Sequence, residues 1–201
     1  MTWIITASGR RIDLAAPHFT DVDGYDIAWA LAQTNRFSGH ALRPYSVAEH
    51  SLLVADLAEA AGLDVHGQLA ALLHDAHEAY CGDVSTPAKA AIGPAWGHFE
   101  RELEVAVKNA FGIHAAAAVH HHLIKHFDLV ALATEKRDLV AQHGAGRTPW
   151  PMLEGIEPAA GVNLRSAERA AMGWEDWRDA FLDRLHSLEF QRAERLTAMP
   201  A

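Results

Sequence analysis

Cysteine is nearly absent from this chain: Cys81 is the single one among 201 residues. No disulfide can therefore form within one chain, which suits a reducing compartment. Positive charge is scarce as well. Seventeen Lys and Arg stand against 26 Asp and Glu, a formal net charge of −9 with His neutral. The basic footprint on which sequence-independent binding to long DNA or RNA depends is missing. A small anionic ligand is not excluded, because one Arg or Lys beside a metal neutralises phosphate locally. No uninterrupted apolar run approaches the ~20 residues needed to span a bilayer. Met1–Thr6 shows no basic stretch leading into an apolar one with a cleavage site. A cytoplasmic protein without membrane association is expected. There is no internal repeat and no long linker, so residues 1–201 are expected to form one domain. Hydrophobic residues make up 50% of the chain and charged ones 21%, a balance that supports a buried core.

Local patterns divide the chain. Residues 1–15 alternate around Ser8-Gly9, with Ile4 and Ile5 before the turn and Ile12 and Leu14 after it, and predict a small β-hairpin. From about Asp21 to Asn35 the period becomes helical, and Phe37–Pro44 reads as a loop. Ser46-Val47-Ala48-Glu49 has the form of a capping box and opens a helix that stops at Gly62. Another helix is expected from Val65 to Tyr80, then a loop through Gly82–Pro87 and a short helix begun by Pro87. Helical periodicity returns over about 95–111 and 119–140. A Gly/Pro-rich stretch, 144–161, precedes a last amphipathic helix over about 166–189. The class is all-α with an N-terminal hairpin.

The densest chemistry lies in Ala70-Ala71-Leu72-Leu73-His74-Asp75-Ala76-His77-Glu78. Burying an imidazole and a carboxylate among Ala and Leu costs roughly 1–3 kcal/mol or more for each group without a partner. A shared metal ion would compensate. His50 upstream and Asp128 downstream complete an H…HD…D set, drawn from separate helices that can converge on one ion in a bundle core. Two imidazoles, two carboxylates and no thiolate favour a divalent Mn, Co, Fe, Ni, Mg or Zn over a Cys-rich structural zinc site.

Further segments follow in order: Asn35-Arg36-Phe37-Ser38-Gly39-His40, Tyr45-Ser46-Val47-Ala48-Glu49-His50-Ser51, Leu72–Tyr80, Gly82-Asp83-Val84-Ser85-Thr86-Pro87-Ala88-Lys89 and Lys125-His126-Phe127-Asp128. With the H…HD…D set they resemble the HD-domain metal-dependent phosphohydrolases. Within that superfamily they look like the bacterial 5′-deoxynucleotidases and the small phage enzymes that hydrolyse dATP. The likeness covers roughly residues 3–140. It implies a compact HD helical bundle, with a catalytic core over 21–140 and a loop and C-terminal helix over 144–201. It implies His50, His74, Asp75 and Asp128 as metal ligands and a metal-bound water attacking phosphorus. Glu78 matches the family's catalytic glutamate, and i to i+4 spacing sets it on the helix face of His74. Arg36 matches an arginine that contacts substrate phosphate, a role its fork suits. Phe37 stands where the nucleotidases carry Trp, so an aromatic wall is kept while substrate preference does not transfer. Asp83 matches a carboxylate lining the pocket, and Lys89 is placed to approach a distal phosphate.

The implied substrate is a small nucleotide: a nucleoside monophosphate giving phosphate, or a deoxynucleoside triphosphate giving triphosphate. A homodimer or larger homo-oligomer is a further expectation of the resemblance. Two readings from other classes stand beside it, a non-catalytic nucleotide- or metal-sensing HD module and a histidine-rich metal-handling protein. His77 makes H-x-x-H-E, the wrong order for a zinc protease, and reads as a partly buried helix residue. His120-His121-His122 cannot all face one ion from a regular helix, because successive residues point about 100° apart. Trp174, Trp177, Phe181, Leu185 and Leu188 read as a helix face packed on the core or on another subunit.

Overall fold

Ile4 pairs with Ile12 across an antiparallel two-stranded sheet, β1 (Trp3–Ile5) and β2 (Arg11–Asp13), as the alternation predicts. A computed structural model describes residues 1–197 of the chain. The hairpin turn closes at Gly9, whose φ of +84° favours glycine. Ile12 is fully buried, and Asp26 accepts hydrogen bonds from the Ser8 N–H and hydroxyl, both at 2.7 Å. Those bonds tie the turn to α1 (Gly24–Gln33), whose N-cap Asp23 accepts from the Tyr25 N–H.

Helix α2 (Val47–Ala60) is the central element. It is apolar or buried on most of its circumference, with Val47, Ala48 and Ala55 in one core cluster and Leu53, Val54 and Ala58 in another. A helix surrounded in this way shows no strong amphipathic stripe. Its N-cap Ser46 accepts from the Glu49 N–H at 3.1 Å, half of the expected capping box. Glu49 does not return the bond, because Arg43 (2.7 and 2.8 Å) and Arg169 (2.9 Å) claim its buried carboxylate.

The helix expected over Val65–Tyr80 is broken at the motif it carries. Helix α3 (Val65–Leu72) ends, Leu73–His77 form turns, and α4 (Glu78–Cys81) is a single turn. Hydrogen bonds there run from i to i−3, with Ala76 N–H to Leu73 O and Glu78 N–H to Asp75 O. The i to i+4 face argument linking His74 to Glu78 therefore loses its premise.

Then follow α5 (Thr86–Ile92), α6 (Pro94–Phe111), α7 (His114–Val119) and α8 (His121–Leu139). The final expected helix is two, α9 (Ala167–Ala171) and α10 (Trp174–Thr197), split at Met172-Gly173. Trp177, Phe181, Leu185 and Leu188 of α10 are buried against α1, α2 and α3, which makes that face core. The architecture is all-α with one small hairpin, and among the described residues no helix is long and apolar enough to cross a membrane.

Candidate metal centre

Three elements bring the four expected ligands together. His50 projects from the first turns of α2, His74 and Asp75 from the turns after α3, and Asp128 from α8. His50 Nε2 lies 3.3 Å from His74 Nε2, 3.4 Å from Asp128 Oδ1 and 3.6 Å from Asp75 Oδ2. His74 Nε2 lies 3.2 Å from the same Asp75 oxygen. Bonds of about 2.0–2.2 Å from an ion to N and O donors hold neighbouring donors roughly 2.8–3.6 Å apart. His50, His74 and Asp128 have the spacing of donors able to share one ion and form a group that could hold a metal, whereas Asp75 approaches the two imidazoles but stands outside that group.

Both imidazoles are oriented from behind. His74 Nδ1 donates to the Ala71 carbonyl at 2.8 Å, and His50 Nδ1 meets Glu135 Oε1 at 2.6 Å. Each bond takes up one nitrogen and leaves Nε2 facing its neighbours, a common arrangement behind metal-bound histidine. Burial and the Arg36 charge oppose protonation of His50, yet Glu135 and Asp128 outweigh them and carry its pKa to about 9 in the ion-free chain. Burial likewise opposes ionisation of Asp75 and Asp128, but the two imidazoles hold both carboxyls below the usual range.

Glu135 was not among the expected site residues. It follows Asp128 by two helical turns and so shares its face of α8, the one sequence signal that pointed to it. Its second oxygen takes Arg36 Nε and a terminal guanidinium nitrogen at 3.3 and 3.2 Å. Arg36 also lies 3.7 Å from Asp75. The guanidinium expected on substrate phosphate is thus committed first to the Glu135 carboxylate behind His50, and its remaining terminal nitrogen lies on the Asp75 side. Phe37 and Ser38 beside it have φ of +56° and +51°, a left-handed conformation that costs an L-residue roughly 1–2 kcal/mol.

Glu78 is 3% exposed and its Oε2 has no hydrogen-bond partner. Burial, then repulsion from Asp75 and Asp83, pushes its pKa up to about 10. Asp83 is raised too, chiefly by burial. Arg36, Phe37, Asp75, Glu78, Asp83, Lys89 and Asp128 line one cavity of about 600 Å³. A smaller one of about 430 Å³ adjoins it at Asp75, Lys89 and Asp128 and adds Arg101 and His121.

Lys89 meets the cavity differently from expectation. Its ammonium sits 2.6 Å from Glu100 and 3.8 Å from Glu78. His77, Glu78 and Glu100 form a second group with metal-ligand spacing, but Lys89 already supplies the cation that neutralises it. His77, expected as a partly buried helix residue, is buried but lies in the turns before α4, with Nε2 3.3 Å from Glu100. None of His120, His121 and His122 belongs to either group among the described residues.

No protein-family model matches the chain. The uncharacterised protein YfdR of Escherichia coli is 34% identical over 164 residues, spanning 82% of this chain and 85% of its own length. An uncharacterised protein of Rhodobacter capsulatus is 42% identical over 142 residues, spanning 68% and 72%.

Proposed function

This chain belongs to the family of Escherichia coli YfdR, and we propose that it is an HD-type, divalent-metal-dependent phosphohydrolase acting on nucleotides. One observation carries the reading: a buried Glu78 carboxyl, whose Oε2 has no hydrogen-bond partner, shares a cavity with Arg36, Asp75 and Asp128. A structural ion needs no such neighbour.

A divalent ion held by His50, His74, Asp75 and Asp128 would supply Lewis acidity toward a phosphoryl oxygen and lower the pKa of water. The chain supplies the rest. Glu135 and the Ala71 carbonyl fix the imidazoles, so the donors are pre-set. Arg36, held by Glu135, turns its Asp75-facing nitrogen toward the cavity and adds positive charge for an equatorial phosphate oxygen. Glu78 Oε2 takes and holds the proton of the attacking water. A cation bound nearby would offset the repulsion from Asp75 and favour the ionised form of Glu78, the form able to accept a proton. Asp83 lies on the same cavity wall, available to a sugar hydroxyl.

The leading substrate is a nucleoside monophosphate, hydrolysed to nucleoside and phosphate. A second reading, a nucleoside triphosphate giving triphosphate, is favoured by the adjoining cavity of about 430 Å³, which offers room beyond the ion and is lined by Arg101 and His121 as well as by Glu100 and Glu104. Product analysis separates them, using purified protein with Mn, Co or Mg, a panel of mono- and triphosphates, and a His74→Ala/Asp75→Ala control. Free phosphate from monophosphates supports the first, and inorganic triphosphate supports the second. A bound ion with no metal-dependent product from any nucleotide would leave a sensing module instead.

A further inference from the structure

Trp150 lies beyond the stretch that resembles the nucleotidases, in the Gly/Pro-rich segment after α8. Its ring nevertheless lines the same cavity as Arg36, Asp75, Glu78 and Asp128. Pro149 and Pro151 flank it, and prolines on both sides restrict the backbone that presents the ring. The ring centroid lies 6.3 Å from that of Phe37, with the planes inclined by 45°. Lys136 Nζ sits 5.3 Å from the Trp150 ring and the Arg36 guanidinium 5.7 Å from the Phe37 ring, so a cation steadies each aromatic wall.

The left-handed backbone at Phe37 belongs to the same corner. It persists because its surroundings over-determine it: the Arg36 N–H donates to the Tyr45 carbonyl and the His40 N–H to the Phe37 carbonyl, both at 2.9 Å. Strain retained beside a cavity points to a function for the side chain it directs.

We propose that Trp150 is the nucleobase-stacking residue, with Phe37 closing the edge of the same seat. Two rings inclined by 45° cannot both lie flat on one base, so one stacks and the other meets the base edge. Trp150 has the larger face and a pre-set backbone, which lowers the ordering cost of binding. A cavity of about 600 Å³ falls within the range of small-molecule sites. Stacking accepts every base because each has a π-face. The seat therefore selects nucleotides over other phosphate esters without choosing one base. This inference rests on the phosphohydrolase reading for the identity of the ligand, and the test keeps the two apart.

Wild-type, Trp150→Ala and Trp150→Phe proteins are assayed with Mn on deoxyadenosine monophosphate and on ribose 5-phosphate. Binding of deoxyadenosine monophosphate is also measured by calorimetry in a Glu78→Gln background, which removes turnover from the readout. Trp150→Ala should weaken binding and lower kcat/KM for the nucleotide by roughly 5- to 150-fold, mainly through KM. The preference over ribose 5-phosphate should collapse toward one, and Trp150→Phe should retain most of it. Unchanged nucleotide binding in Trp150→Ala, or equal losses on both substrates, overturns the seat. Trp150-dependent binding without release of phosphate from the monophosphate, or of triphosphate from deoxyadenosine triphosphate assayed alongside, under any ion upholds the seat and overturns the hydrolase reading. Phosphate release that ignores Trp150 does the reverse.

Discussion

Nδ1 of His50 on α2 and Oε1 of Glu135 on α8 lie 2.6 Å apart, and both side chains are fully shielded from solvent. This contact joins the two central helices, sets the imidazole so that Nε2 faces the other donors, and passes charge on to Arg36 through the second carboxylate oxygen. Glu135→Gln keeps the shape and removes the charge. Loss of such a partner behind a ligand typically costs 10–100-fold in metal affinity. Calorimetric titration with Mn should show a weakening of that order, and an unchanged Kd would mean that Glu135 serves only packing.

An ion that binds the folded chain and not the unfolded one stabilises it by about 2.7 kcal/mol at 100 times its Kd. For a chain of this size that is roughly 5–11 °C of melting temperature. Thermal unfolding with saturating Mn against EDTA should show this rise in wild type. His74→Ala and Asp128→Ala should each lose most of it. A rise that survives both substitutions would place the ion elsewhere.

Glu78 is held protonated by burial and by Asp75 and Asp83, with a pKa of about 10 against 4.5 for an ordinary glutamate. The sign follows from linkage: the folded state keeps a proton that the unfolded state releases above about 4.5, so the group costs stability progressively from there up to about 10. Glu78→Gln should therefore melt higher than wild type at pH 7–8 in EDTA, and the difference should narrow toward pH 4.5. Activity should fall by about 10²–10⁴-fold, the usual contribution of a positioned acid or base. A melting difference independent of pH would refute the assignment of the shift to this carboxyl.

Arg43 holds the wholly buried Glu49 carboxylate with two bonds and also donates to the Leu164 carbonyl at 2.7 and 2.9 Å. Arg43→Ala leaves that carboxylate with Arg169 alone. Breaking a buried pair costs about 3–5 kcal/mol, or roughly 6–20 °C of melting temperature. Differential scanning calorimetry would detect it, and a shift below 2 °C would show that water or Arg169 takes over.

Much of this architecture was legible because its signals are local. Alternation about Ser8-Gly9 is a property of a few consecutive residues, and so are the Ser46 cap, the stop at Gly62 and the Pro87 start. His74 and Asp75 were legible for a related reason. An imidazole and a carboxylate inside an Ala/Leu run have no cheap burial without a partner, whereas His50 and Asp128 were singled out by the likeness to the HD phosphohydrolases.

The break at Leu73–His77 was hidden because Ala-Ala-Leu-Leu-His-Asp-Ala-His-Glu-Ala keeps helical periodicity throughout, and nothing in it marks the change to i−3 bonding. Glu135 was hidden in Thr134-Glu135-Lys136-Arg137-Asp138, a run that reads as a solvated face until α2 packs across it. Lys89 was legible as a cation, but whether it met substrate or Glu100 depended on where α6 came to lie. Trp150 had neither periodicity nor a spacing to the ligands. The sequence alone thus determined the helical class, the hairpin and the conspicuous His74-Asp75 pair, because propensity and the cost of buried polar groups act residue by residue. Tertiary structure alone decided which carboxylate backs His50, which cation closes on Glu100 and which aromatic ring walls the cavity. Those choices depend on contacts between segments far apart in the chain, and no local pattern encodes such distances.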